Sequence, residues 1–134
     1  MSKRLVLIVE DDRDDEFLTR RVLAKITVPL RIQVARDGQE AGQLLFGAAG
    51  EGGAPDLIVL DLKLPKVDGL QLLAQIRSNP RTTNLPVIVL TSSDNPSDIK
   101  NCAQLGVVGY LCKPVSLESL TCLLARIPGW LPSA

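Results

Sequence analysis

Asp56-Leu57-Ile58-Val59-Leu60-Asp61-Leu62-Lys63-Leu64-Pro65 is an apolar run that ends on a carboxylate and is closed by a proline. Four aliphatic residues before an ionisable one describe a strand buried on both faces, because a carboxylate in mid-core is costly. Asp61 is therefore expected where that strand leaves the sheet, the edge at which α/β proteins hold their chemistry. Working outward, Leu5 to Val9 is a similar continuous run that ends on Glu10-Asp11-Asp12, and Val87 to Leu90 is another that ends on Thr91-Ser92-Ser93. Continuous rather than alternating hydrophobicity marks strands of a parallel sheet covered on both faces. Arg31 to Arg36 alternates polar and apolar and reads as an edge strand. A fifth strand, Val107 to Leu111, is interrupted by Gly109 and leaves through Cys112-Lys113-Pro114.

Helical patterns fill the gaps. One is predicted over roughly 14–26, with acids in its first turn and Leu18, Val22, Leu23 and Ile26 on one face, before Pro29. Asp37-Gly38-Gln39-Glu40 has capping-box spacing and opens a short helix through Leu44 and Leu45. The segment from Gly47 to Pro55, with four glycines, reads as a flexible loop. Asp68-Gly69 leads into a helix with Leu70, Leu73 and Ile76 inward, ended by Asn79-Pro80. Asn95-Pro96 begins a fourth helix that Gly106 terminates. Ser116 caps a fifth, with Leu117, Leu120, Leu124 and Ile127 on one stripe, broken by Pro128-Gly129. The tail Trp130-Leu131 is apolar and belongs to no helix; folding back onto the last helix and contact with a partner are both open.

Five strands alternating with five helices predict an α/β domain with a doubly wound, flavodoxin-like parallel sheet in order 2-1-3-4-5. A chain of 134 residues with 46% apolar content suits one domain, with a core over about 5–127 and a short tail over 128–134. With 15 basic and 15 acidic residues, nothing marks a nucleic-acid or membrane surface. The five apolar residues after Lys3-Arg4 are too few for a signal peptide or a span, so a cytoplasmic protein is expected. Cys102, Cys112 and Cys122 are odd in number and lack a C-x-x-C pair, as reduced cysteines acting as small hydrophobes would be. There is no histidine, which excludes Ser-His and Cys-His nucleophiles and a histidine metal cage.

In the predicted topology all strand ends share one edge, so Glu10, Asp11, Asp12, Asp61, Thr91 and Lys113 converge. Clustered carboxylates repel unless a cation sits among them, and an all-oxygen set favours Mg²⁺, with Mn²⁺ the alternative. A carboxylate held at such a metal can attack a phosphoryl group. Thr91 could donate to one phosphoryl oxygen and Lys113 neutralise another.

The chain resembles a response-regulator receiver domain of two-component signalling. The likeness runs from about Leu5 to Ile127 through Val9-Glu10-Asp11-Asp12, Leu60-Asp61-Leu62-Lys63-Leu64-Pro65 with Asp68-Gly69, Val89-Leu90-Thr91-Ser92, and Tyr110-Leu111-Cys112-Lys113-Pro114. By that resemblance Asp61 is the phosphoacceptor, charged by a sensor histidine kinase or phosphotransfer protein. Glu10, Asp11, Asp61 and the backbone carbonyl of Lys63 hold Mg²⁺, Thr91 is the switch hydroxyl, Tyr110 the aromatic switch, and the Lys113–Pro114 bond is usually cis. Lys63 occupies a position that in the family helps set phosphoryl lifetime, while Asp12 is read as a first-turn helix residue without metal contact. Catalysis would be limited to Mg²⁺-dependent self-phosphorylation and slow autodephosphorylation. With no output domain expected, the signal would pass to a downstream protein, a homodimer or onward phosphotransfer through helix 4, strand 5 and helix 5. A narrower likeness is to single-domain regulators paired with bacterial phytochrome-type kinases. The rivals are a degenerate receiver that only binds, and a haloacid-dehalogenase-type phosphohydrolase, whose usual second acid is replaced by Lys63. A flavodoxin is disfavoured because carboxylates after the first strand would repel the flavin phosphate.

Overall fold

The computed structural model describes residues 3–26, 28–47 and 54–130. Its elements are β1 (Arg4–Val9), α1 (Arg13–Leu23), β2 (Leu30–Ala35), α2 (Gly38–Phe46), β3 (Leu57–Leu60), α3 (Gly69–Ser78), β4 (Val87–Thr91), α4 (Pro96–Gln104), β5 (Gly109–Cys112) and α5 (Leu117–Leu124). The strands form one parallel sheet in order β2-β1-β3-β4-β5, as the hydrophobic runs predict. The runs are continuous because alternate residues enter two separate cores. Leu7, Val9, Ile58, Leu60, Val87 and Val89 face the side covered by Ala41, Leu45, Leu72, Leu73, Ile76 and Cys102. Val6, Ile8, Leu57, Val59, Ile88 and Leu90 face Leu23, Leu120, Leu123, Leu124 and Trp130. β2 lies at the edge and alternates in burial, matching its sequence.

Several local expectations are corrected. α1 ends at Leu23, and Leu18 points outward at 41% exposure while Thr19 is buried in its place. An apolar residue marks an inward face only when its angle on the wheel agrees, and Glu16, Thr19 and Leu23 share the buried angle. β5 begins at Gly109 and runs to Cys112, two residues later than expected at its start. Gly109 is part of the strand: a Cβ there would collide with the Leu123 side chain, so its absence lets α5 pack close. α5 ends at Leu124, leaving Ile127 beyond the helix, and Leu117 is exposed. Cys102 is buried as a small hydrophobe, but Cys112 and Cys122 are exposed. Residues 48–53 of the glycine-rich loop and Leu131 lie outside the described residues.

Trp130 folds back onto the sheet and is 1% exposed. Arg4, at the start of β1, stacks its guanidinium 5.0 Å from the indole centroid and donates to the Gly129 carbonyl at 2.6 Å. Among the described residues no helix is long and apolar enough to cross a membrane.

Candidate phosphoryl and metal site

The strand ends assemble the site. Backbone pairing carries one residue past β1 and β3: the Glu10 N–H donates to the Ala35 carbonyl at 2.9 Å and the Asp61 N–H to the Val9 carbonyl at 3.1 Å. Both side chains are thereby fixed at the carboxyl edge while remaining buried, at 3% and 5% exposure. Asp11 beside them is exposed. Glu10, Asp11 and Asp61 each offer an oxygen within 4.8 Å of the others, an all-oxygen set able to hold a divalent cation.

Lys113, just past β5, reaches into this group. Its Nζ lies 2.6 Å from Glu10 Oε1, 2.7 Å from Asp15 Oδ2 and 2.8 Å from Asp61 Oδ2. These acceptors use all three donors of an ammonium. The Lys113–Pro114 peptide is cis. Burial works against the ammonium, but its carboxylate partners outweigh that and push the Lys113 pKa up. Burial likewise disfavours the Asp61 carboxylate, yet Lys113, the Lys63 N–H and the Thr91 hydroxyl hold its pKa below the usual range. For Glu10 burial prevails, and with the nearby Asp61 charge pushes its pKa up to about 7 against the opposing pull of Lys113.

The two Asp61 oxygens are held differently: Oδ1 accepts the Lys63 N–H at 3.1 Å and Oδ2 accepts from Lys113. The Lys63 side chain is exposed. Gly69 packs against this turn so closely that a Cβ there would sit 2.5 Å from Leu62 Cα and 2.6 Å from the Asp61 carbonyl oxygen. Its N–H donates to the Leu62 carbonyl at 3.0 Å. Lys66, in the same loop, takes the left-handed conformation with φ 70°.

Thr91 closes β4, fully buried, and its Oγ1 accepts the Ser93 N–H at 3.4 Å. Ser93 then binds in two further directions. Its hydroxyl donates to Asp98 Oδ2 at 2.7 Å, and its carbonyl accepts from the Tyr110 hydroxyl at 2.6 Å. Tyr110 is half-buried against the core. Asp12, by contrast, lies before the first turn rather than in it: it is the N-cap of α1 and accepts the Asp15 N–H at 3.0 Å.

Sequence reasoning brought Glu10, Asp11, Asp12, Asp61, Thr91 and Lys113 to one edge, and the structure gathers them there, with the Asp12 side chain turned to cap α1. It missed Asp15 and the Ser93–Asp98 pair. For Asp15 the signal was the three-residue spacing from the capping Asp12, which turns a first-turn carboxylate back toward the strand ends. A broad groove of about 510 Å³ lies at the opposite edge, lined by Arg77, Leu85, Gln104 and Arg126 among others, away from these acids.

Comparison with known proteins agrees with this fold. The family described as "Response regulator receiver domain" matches residues 6–125. The response regulator Rcp1 of Synechocystis sp. is 39% identical over 119 residues, covering 87% of this chain and 81% of that protein. The crystal structure of the Mn²⁺-bound form of Rcp1 superposes with a TM-score of 0.81 at 36% identity, over 98% of this chain and 96% of that one. The phosphorylated cyanobacterial phytochrome response regulator RcpA gives 0.82 at 38%, over 99% and 97% of the two chains. The bacteriophytochrome response regulator AtBRR gives 0.85 at 34%, over 100% and 98%.

Proposed function

From the premise that this chain belongs to the response regulator receiver family, we propose that Asp61 is its phosphoacceptor, charged from a phosphohistidine on a sensor kinase or phosphotransfer protein. The observation that carries this reading is the double membership of Asp61. It belongs to the oxygen trio and is also 2.8 Å from the Lys113 ammonium. An Asp61 oxygen would attack phosphorus as the bond from phosphorus to the donor nitrogen breaks, leaving an acyl phosphate and a histidine free to take up a proton. Glu10, Asp11 and Asp61, with the Lys63 carbonyl, would hold Mg²⁺ or Mn²⁺, which when bound offsets charge on the phosphoryl oxygens. Lys113 would hold one phosphoryl oxygen and Thr91 another. A Thr91 hydroxyl drawn to the phosphoryl group leaves the Ser93 N–H, and Ser93 is the residue on which Tyr110 rests. The added charge would thus bias the α4, β5 and α5 surface between two states, one of which a partner selects.

The phosphorylated phytochrome response regulator and the Mn²⁺-bound relative support a phytochrome-type kinase as donor and a divalent ion at the acids. We place the protein in the cytoplasm, with another protein or a second copy of this chain as the reader of the phosphorylated surface. Incubation with Mg²⁺ and a small acyl phosphate tests the central claim: the parent gains a phosphoryl mass and Asp61→Asn gains none. No gain in the metal-replete parent, or an undiminished gain in the variant, overturns it.

A further inference from the structure

We propose that Asp15, on the first turn of α1, is a positioning residue that holds Lys113 in place while the other partners of that ammonium are drawn to metal and phosphoryl. The inference rests on the phosphoacceptor reading of Asp61. Its basis is a closed circuit of hydrogen bonds. Glu10 Oε2 accepts the Asp12 N–H at 3.3 Å, and Asp12 Oδ1 accepts the Asp15 N–H at 3.0 Å. Asp15 Oδ2 accepts from Lys113 Nζ at 2.7 Å, and Lys113 returns to Glu10 Oε1 at 2.6 Å.

The three acceptors of Lys113 differ in what competes for them. Glu10 and Asp61 both belong to the oxygen trio, so a divalent cation draws on the same carboxylates. Asp61 also becomes the site of the acyl phosphate, which changes its geometry and charge. Asp15 lies outside the trio, and its contact with Lys113 persists through both events. Its own placement is secured by the Asp12 cap and by the helix, whereas Lys113 hangs on a long, flexible stem from the loop after β5. An ammonium that lost two acceptors with nothing to replace them would sample other rotamers, and alignment toward the incoming phosphoryl oxygen would be lost. The circuit also ties α1 to the chemistry: occupancy of Asp61 reaches the first turn of α1 through two hydrogen bonds.

Two measurements on the full chain test this. The first is the NMR signal of the Lys113 ammonium, without metal or phosphoryl donor. Protected by three carboxylates, it is expected to be visible in the parent, broadened by solvent exchange in Asp15→Asn, and recovered in Asp15→Glu. The second is the rate of phosphorylation by acyl phosphate at saturating Mg²⁺, expected to fall about tenfold in Asp15→Asn and to recover in part in Asp15→Glu. An ammonium signal unchanged in Asp15→Asn overturns the inference, as does a lost signal with an unchanged rate. A purely structural contribution of Asp15 to α1 would lower stability without moving the ammonium resonance. If the parent itself takes up no phosphoryl group, the reading of Asp61 fails, while the ammonium measurement still judges the Asp15 contact.

Discussion

Lys113 and Arg77 are single cations that organise opposite edges of the same sheet, and they do so with different acceptors. At the carboxyl edge Lys113 binds the carboxylates of Glu10, Asp15 and Asp61. At the other edge Arg77 donates to the backbone carbonyls of Leu105, Thr83, Leu85 and Gly106 at 2.7, 3.0, 2.7 and 3.2 Å. Burial lowers the Arg77 pKa, and no carboxylate among the described residues offsets it. The carbonyls are neutral and fixed by the chain, so the guanidinium staples two loops and has nothing to exchange. Carboxylates carry charge that a metal or a phosphoryl group can claim, so the Lys113 contacts can be redistributed. One edge is locked by its acceptors, and the other is made exchangeable by them.

Substituting the exchangeable edge gives the largest expected effect. Lys113→Met should slow phosphorylation by acyl phosphate about a hundredfold, measured by mass spectrometry over time, because a charge partner on the transferring group is lost. It should also leave Glu10, Asp15 and Asp61 mutually repelling, so added Mg²⁺ should raise its melting temperature by more than that of the parent. Arg77→Ala should lower stability by about 3 kcal/mol in urea unfolding, since it frees partly buried carbonyls. That loss should be the same with and without Mg²⁺, and a metal-dependent loss would erase the contrast between the edges. Gly69→Ala should cost about 2 kcal/mol, because its Cβ meets backbone at Leu62 and Asp61, and phosphorylation should slow with it. The smallest effect concerns protons. With the Glu10 pKa near 7, a proton competes with the metal below that value, so divalent-ion affinity by calorimetry should weaken as pH falls, by up to about tenfold per unit. The same shift makes Glu10 favour folding least at high pH: the folded chain binds the extra proton between its ordinary value of 4.5 and about 7, and that stabilisation is lost as pH rises through about 7.

The sheet was legible because buried strands leave an unambiguous mark. Leu57 to Leu60 has no polar face, which suits a strand covered on both sides, and its alternation with helical segments makes the sheet parallel. The strand ends were legible for the converse reason, since Asp61 cannot continue into the core. Helix faces were less so. Phe17 and Leu18 are apolar but exposed, while Glu16 turns inward to pair with Arg20 and Arg36. Composition alone cannot show that a buried carboxylate has found two guanidiniums. Asp15 escaped notice because the acids opening α1 serve different ends: Asp12 caps, Asp15 reaches Lys113, and the helix dipole accounts for any of them equally well. The Asp37–Glu40 box was read correctly in its first half, with Asp37 accepting the Glu40 N–H at 2.7 Å. Glu40 reaches back instead to the Arg36 N–H at 3.4 Å, one residue before the cap.

The burial of Trp130 against Arg4 has an optical consequence. It is the chain's one tryptophan, held under a guanidinium at the sheet edge opposite Asp61. Its intrinsic fluorescence therefore reports release of the segment from Pro128 to Trp130 and unfolding of the α5 face. Being distant from the acids, it serves as an internal gauge of folding against which events at Asp61 can be read.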